Sequence, residues 1–119
     1  MELQNIFVLL VALLHFYFMV LEMFFWTKPQ GLKIFRNTLE FAKASQVLAA
    51  NQGLYNGFLT AGLIWGALHP TPNLGIQIKI FFLICVIIAG TYGAVTVSRR
   101  IFYVQAFPAL IALASLFIY

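Results

Sequence analysis

The chain has 119 residues, of which 63% are hydrophobic, 17% are aromatic and only 8% are charged. Soluble domains are about 45–50% apolar and about 25% charged, and a soluble domain this short has more surface than so few charges can cover. A disordered chain is also excluded, since disorder requires low hydrophobicity and high net charge. The composition therefore indicates a protein that crosses a membrane several times.

Four apolar segments are each long enough to form a membrane-spanning helix. Such a helix needs about 20 residues to cross about 30 Å of hydrocarbon. The predicted helices cover residues 3–26, 47–68, 76–97 and 101–119. We therefore expect an all-α membrane protein in which residues 1–119 form a single domain, a four-transmembrane-helix bundle.

The three predicted connections differ in character. Residues 27–46 contain a Pro-Gln-Gly turn and then a short amphipathic stretch, of the kind that lies in the plane of the lipid headgroups. Residues 69–75 form a tight turn rich in proline and glycine. Residues 98–100 are the minimum that can reverse the chain between two helices. The sequence thus predicts one short amphipathic interfacial segment, between helices 1 and 2.

The basic residues predict the orientation of the bundle. The chain has seven Lys and Arg residues and three acidic residues, which gives a formal net charge of +4. Six of the seven lie in the first and third connections, and Lys79 lies near the second. Loops rich in Lys and Arg remain cytoplasmic, so both termini are predicted to face away from the cytoplasm. These residues are expected to meet anionic lipid headgroups rather than nucleic acid.

Polar side chains within the predicted helices are candidate functional groups, because such groups are costly in a bilayer. His15, Glu22 and Trp26 follow one another at spacings of seven and four, which places them on one face of the first helix. The other helices contribute Asn51, Gln52, Tyr55, Asn56, Tyr92 and Gln105. Counting the helical rise places most of these residues in the cytoplasmic half of the bilayer. We therefore expect a polar cavity there, with His15 at its floor near the midplane.

The residue types in this layer suit acid–base chemistry. His15 and Glu22 are the predicted catalytic pair, because an imidazole and a carboxyl group can exchange protons with a bound molecule. The remaining polar and aromatic side chains, Trp26 included, are predicted to bind and orient that ligand. One His and one Glu fall short of a zinc or di-iron ligand set, and the sequence carries no dinucleotide or phosphate-loop motif. No metal and no other cofactor is therefore expected.

Structural roles for the same residues stay open. Glu22 can extend to the membrane surface and pair with Lys28 or Arg99. His15 can serve only as a hydrogen-bond partner between helices. Trp26 suits the aromatic belt at the membrane interface.

Several motifs together resemble a known family. They are LAANQGLYNGFLTAGLIW at residues 48–65, His15 with EMFFW at residues 22–26, TKPQGLK at residues 27–33 and VQAFPAL at residues 104–110. The run NQGLYNG at residues 51–57 is the most specific of them. They resemble a small bacterial integral-membrane family catalogued as domain of unknown function 1304. The resemblance covers nearly the whole chain and implies four transmembrane helices in a bacterial inner membrane. It implies no activity.

Three functions fit these features. The first is an inner-membrane protein that binds a lipophilic small molecule or lipid in the polar cavity and performs isomerase-like acid–base chemistry on it. The second is an accessory subunit without catalysis, whose polar residues only fix the helix register. The third is a proton-coupled exporter that acts as a homodimer, against which the shallow position of Glu22 and the one-sided charge both argue. The expected partners are membrane lipids, a lipophilic ligand and further copies of the chain.

Overall fold

The computed structural model describes residues 2–118, and every regular element among them is helical. Five helices follow in chain order: α1 (Leu3–Phe24), α2 (Pro29–Phe35), α3 (Leu39–Leu68), α4 (Pro72–Thr96) and α5 (Arg99–Ile118). The predicted all-α class is thus confirmed. Tyr119, the predicted end of the last helix, lies outside the described residues.

Three of these helices are long and apolar enough to cross a membrane. They are α1, α4 and α5, whose mean hydropathies reach 2.3, 2.2 and 2.1. Three such helices indicate an integral membrane protein. The more polar α3 is not among them, so the four-helix bundle and its orientation stay predictions.

Helix α3 begins at Leu39, eight residues before the predicted position. The hydroxyl oxygen of Thr38 accepts a hydrogen bond from the Phe41 N–H at 3.1 Å, which caps the helix at its start. The predicted amphipathic connection therefore divides into two parts. Its first part contains the seven-residue helix α2, which ends at Arg36 in the left-handed conformation, with φ of 57°. Its second part forms the first two turns of α3.

Two prolines account for further differences from the predicted helices. Helix α4 begins at Pro72 rather than at residue 76, because proline suits the first position of a helix. In α5, Pro108 follows a π-helical turn over Phe102–Ala106. In that turn the Phe107 N–H bonds to the Phe102 carbonyl. The wider turn accommodates a proline ring that would clash with a carbonyl in a regular α-helix.

Residues Leu13–Thr60 form one compact unit. It comprises the second half of α1, all of α2 and about the first three-quarters of α3. A Cβ atom added at Gly53 would lie 2.7 Å from Met23 Cγ, and one added at Gly57 would lie 2.8 Å from Met19 Sδ. These two glycines therefore allow α3 to approach α1 closely.

Among the described residues, the second unit contains residues 2–12 and 61–118. Its core is built from small and branched side chains on α1, α3, α4 and α5, namely Val8, Leu63, Leu83, Val86, Ala106, Ala109 and Ala112. A Cβ atom at Gly90 of α4 would lie 2.8 Å from the backbone nitrogen of Ala106. Helix α4 therefore packs tightly against the π-helical turn of α5.

Candidate functional site

Four polar side chains form a hydrogen-bonded network between α1 and α3, within the Leu13–Thr60 unit. The amide nitrogens of Gln52 and Asn56 donate to the two carboxyl oxygens of Glu22, at 2.6 Å and 2.5 Å. His15 Nδ1 and Asn56 Oδ1 are hydrogen-bonded at 2.8 Å. We call these four residues, His15, Glu22, Gln52 and Asn56, the Glu22 network.

Helical spacing brings the network together. His15 and Glu22 lie two turns apart on α1, and Gln52 and Asn56 lie one turn apart on α3. The close approach at Gly53 and Gly57 brings the two faces within hydrogen-bond distance. His15, Glu22 and Asn56 are buried, with exposed fractions of 1%, 2% and 6%. The network thus lies in the interior of its unit, with Gln52 at its more accessible end.

The pattern of donors fixes the hydrogen on the His15 ring. Asn56 commits its NH2 group to Glu22, so the atom that faces His15 is the carbonyl oxygen, which can only accept. His15 Nδ1 must therefore carry a hydrogen and donate it. The other ring nitrogen, Nε2, is buried and has no hydrogen-bond partner among residues 2–118. In the neutral imidazole, Nε2 is the atom with the free lone pair.

Both oxygens of Glu22 accept hydrogen bonds from amides rather than from a cation. Within the described part of the chain, Glu22 makes no salt bridge to Lys28 or to any other basic residue. A buried carboxylate without a counter-ion is costly, and two short amide hydrogen bonds compensate part of that cost. Glu22 is thus held by neutral donors in the interior of its unit.

Three further predicted residues of the same unit lie outside the network. Trp26 donates from Nε1 to the Ser45 hydroxyl at 3.1 Å and packs its ring at 4.9 Å from that of Phe35, so it ties the end of α1 to α2 and α3. Tyr55 is 57% exposed and lies edge-on to Phe58. Asn51 is exposed on the surface of α3.

The last two predicted residues belong to the second unit. Tyr92 is 71% exposed on α4. Gln105 is half-buried in the π-helical turn, and a Cβ atom at Gly90 would lie 3.1 Å from its Cβ. The structure therefore joins four of the nine predicted residues in one network, His15, Glu22, Gln52 and Asn56.

The sequence reasoning missed a polar pair in the second unit. Lys79 of α4 is only 5% exposed, and its ammonium group donates to Asn5 Oδ1 at 2.8 Å. Lys79 was predicted near the second connection, in the first turn of a helix from residue 76, whereas it lies in the second turn of a helix that begins at Pro72. A cation followed by a long apolar run was the signal that could have marked it.

The helices and the buried polar network place the protein among multi-spanning integral membrane proteins. The chain belongs to the family described as Protein of unknown function (DUF1304), whose model matches residues 9–117. It is similar to an uncharacterized protein, YpaA, of the bacterium Lactococcus lactis subsp. lactis (strain IL1403). The two are 36% identical over 111 residues, which cover 92% of each chain. No solved structure matches the chain significantly. The resemblance drawn from the motifs is confirmed.

Proposed function

We propose that this membrane protein binds a lipophilic small molecule or lipid at the Glu22 network and exchanges a proton with it through His15 Nε2. One observation carries the proposal: His15 is buried with Nδ1 held by Asn56, while Nε2 has no partner among the described residues. A buried, unpaired ring nitrogen is costly unless something occupies it. A ligand O–H or acidic C–H directed at Nε2 would satisfy it.

The rest of the network supports a base at Nε2. Asn56 donates to the Glu22 carboxyl group, and hydrogen bonds in a chain polarise one another. The Asn56 oxygen is thereby a better acceptor for the His15 Nδ1–H. When Nε2 takes up a proton, the imidazolium that forms is stabilised through this chain. His15 is the catalytic residue of the proposal, and Glu22, Asn56 and Gln52 are positioning residues.

The reaction class that suits this arrangement is a proton shift. Nε2 removes a proton from one carbon of the ligand, and the C–H electron pair enters the ligand's own π-system. The imidazolium then returns the proton to another carbon, so that a double bond moves and the enzyme ends in its starting state. Such an isomerase-like reaction needs neither an oxidant nor a reductant.

We further propose that α3 is the fourth span, in a bacterial inner membrane with both termini outside. Its thirty residues extend about 45 Å, more than the about 30 Å of the hydrocarbon core. Gln52 and Asn56 lower its hydropathy, but both bond to Glu22 on α1. Each amide thereby donates to a partner within the protein, which lowers the cost of these polar groups in a membrane span.

One substitution at His15 distinguishes the roles of the two ring nitrogens. The amide nitrogen of His15→Asn lies where Nδ1 lies, so this variant keeps the bond to Asn56 and removes Nε2. The measurement is the set of amphiphiles that co-purify with the protein in one detergent, quantified by mass spectrometry per mole of protein. We expect the wild type to carry a bound amphiphile whose amount per mole of protein falls about tenfold in His15→Asn. A tenfold fall corresponds to the loss of one hydrogen bond from a charged or polarised group.

The matched control is Asn51→Ala, on the exposed face of α3, which is expected to retain the wild-type amphiphile. A purely structural network predicts a different result. In that case wild type and His15→Asn carry the same amphiphiles, and the proposal is wrong.

A further inference from the structure

Lys79 is a buried cation that the proposed function does not use. Its ammonium group has three hydrogens to donate, and one goes to Asn5 Oδ1 at 2.8 Å. Asn5 is a neutral acceptor, and Lys79 makes no salt bridge within residues 2–118. The exposed Glu2 carboxylate opposes its charge without forming a salt bridge, so the charge of this buried group is incompletely compensated.

Lys79 lines a cleft in the second unit. The cleft has a volume of about 220 Å³, and its walls come from the start of α1, the end of α3 and the start of α4. Gly66 and Gly75 bring α3 and α4 together here, since a Cβ atom at either would lie 2.7 Å from an atom across the contact. Sites for drug-sized ligands have about 300–1,000 Å³, so this cleft suits a single polar headgroup.

The start of α4 adds to the positive potential of the cleft. Pro72 and Gly75 line it, and the Thr71 side chain makes no capping bond to the first turn. Pro72 has no N–H and the Gly75 N–H bonds to the Thr71 carbonyl, so this turn contributes through the positive end of the helix dipole. Glu2 is the opposing charge, and it lines the cleft as an exposed residue.

We propose that this cleft binds a phosphate group, with Lys79 as its main ligand. A phosphate oxygen accepts the ammonium hydrogens that Asn5 leaves free, and Gln4, which is also buried and lines the cleft, offers an amide donor. The phosphate belongs either to a lipid headgroup or to a free anion. The site lies in the second unit and does not depend on the function proposed for the Glu22 network.

The test is a thermal shift of the protein purified in dodecyl maltoside. Dodecyl phosphate and inorganic phosphate are titrated separately, with sodium chloride at equal ionic strength as the reference. Three variants accompany the wild type: Lys79→Met, Glu2→Gln, and Lys43→Met as the matched control on the exposed surface of α3. We expect Lys79→Met to weaken the apparent affinity at least about tenfold, Glu2→Gln to strengthen it and Lys43→Met to leave it unchanged.

A shift that depends on Lys79 and occurs only with dodecyl phosphate assigns the site to a lipid headgroup. The same dependence with inorganic phosphate assigns it to a free anion. The proposal is overturned if neither probe raises Tm above the chloride reference, or if Lys79→Met responds like the wild type. Should Lys79→Met fail to fold, an unchanged affinity in Glu2→Gln overturns it instead.

Discussion

Asn56 is the residue on which the Glu22 network depends, because its amide has a donor on one edge and an acceptor on the other. It faces an acceptor, the Glu22 carboxyl group, and a donor, the His15 Nδ1–H. Neither a carboxylate nor an apolar side chain of the same size can bond to both.

Asn56→Asp is therefore expected to be strongly destabilising despite its unchanged shape. It places a carboxyl oxygen where the amide nitrogen donated to Glu22, so two acidic groups meet in a buried position. We expect a loss of about 3–5 kcal/mol in the free energy of unfolding, measured by thermal unfolding in detergent. Asn51→Asp, one turn and one residue earlier on the exposed face, is the control and should change Tm little. Equal effects of the two substitutions would contradict the buried geometry of the network.

The four residues of the Glu22 network could be predicted from the sequence, but the hydrogen bonds between them could not. Spacing on α1 identified His15 and Glu22, and the polar run on α3 identified Gln52 and Asn56. Which amide edge meets which partner depends on the depth to which α3 packs against α1, and Gly53 sets that depth. Trp26 shows the same limit, since its partner Ser45 is nineteen residues away and belongs to a turn that was predicted as a connection.

Among the elements, α2 owes its position to a single glycine. Gly31 is buried, and a Cβ atom there would overlap the backbone carbonyl oxygen of Phe25. That carbonyl also accepts the N–H of Lys28 at 3.1 Å in the turn between α1 and α2. The obstacle is backbone, so rotation of a side chain cannot relieve it.

Gly31→Ala is expected to destabilise the protein by about 3 kcal/mol, the upper end for overpacking. The sign of the change in the free energy of unfolding is informative. Ala favours a helix over Gly by about 1 kcal/mol, so Gly31→Ala would stabilise α2 if its methyl group had room. Thermal unfolding measures the effect, and Gln30→Ala, on the exposed side of the same helix, is the control. An unchanged or higher Tm in Gly31→Ala would rule out the close contact.

At the end of α2, by contrast, we expect a change to glycine to be favourable. Arg36 has φ of 57°, and its N–H and that of Asn37 both bond to the Leu32 carbonyl. A residue with a side chain is strained there by about 1 kcal/mol or more, whereas glycine is favoured at this position of a helix end. We expect Arg36→Gly to be about 1 kcal/mol more stable to unfolding than Arg36→Ala. Both variants lose the charge of Arg36, so the difference between them reports the backbone conformation alone. If the two variants unfold together, the left-handed conformation is not imposed on this residue.

The elements themselves were predictable where the pattern was long and apolar. Helices α1, α4 and α5 follow from hydrophobic runs of membrane-spanning length. The start of α3 was missed because it depends on one hydroxyl at Thr38. The π-helical turn was missed because only Pro108 marks it, and proline alone does not distinguish a kink from a wider turn.

For the whole molecule, labelling of two introduced cysteines tests whether α3 crosses the membrane. Cys85 is the one cysteine of the sequence, so Cys85→Ser gives a background without reactive thiols. Gln30→Cys on α2 and Thr71→Cys before α4 each place a thiol at an exposed position, the first before α3 in the chain and the second after it.

In intact spheroplasts, an impermeant maleimide is expected to label Thr71→Cys at once and Gln30→Cys only after permeabilisation. This pattern follows if α3 crosses the membrane and the basic connections face the cytoplasm. Labelling of both positions from one side would mean that α3 does not cross. Reversed labelling would keep the four spans and invert the orientation.

The amide at the centre of the Glu22 network also limits how protons can travel. A carboxyl group or an imidazole can take up a proton on one side and release it on the other, but an amide donates its hydrogens without exchanging them. Asn56 therefore transmits polarisation between Glu22 and His15 and blocks proton transfer between them. A proton that reaches His15 Nε2 must leave by the same atom, toward whatever molecule occupies it. The network insulates the two ionisable groups from each other, which suits the proposed reaction, in which the proton returns to the ligand, better than a relay that carries protons across the membrane.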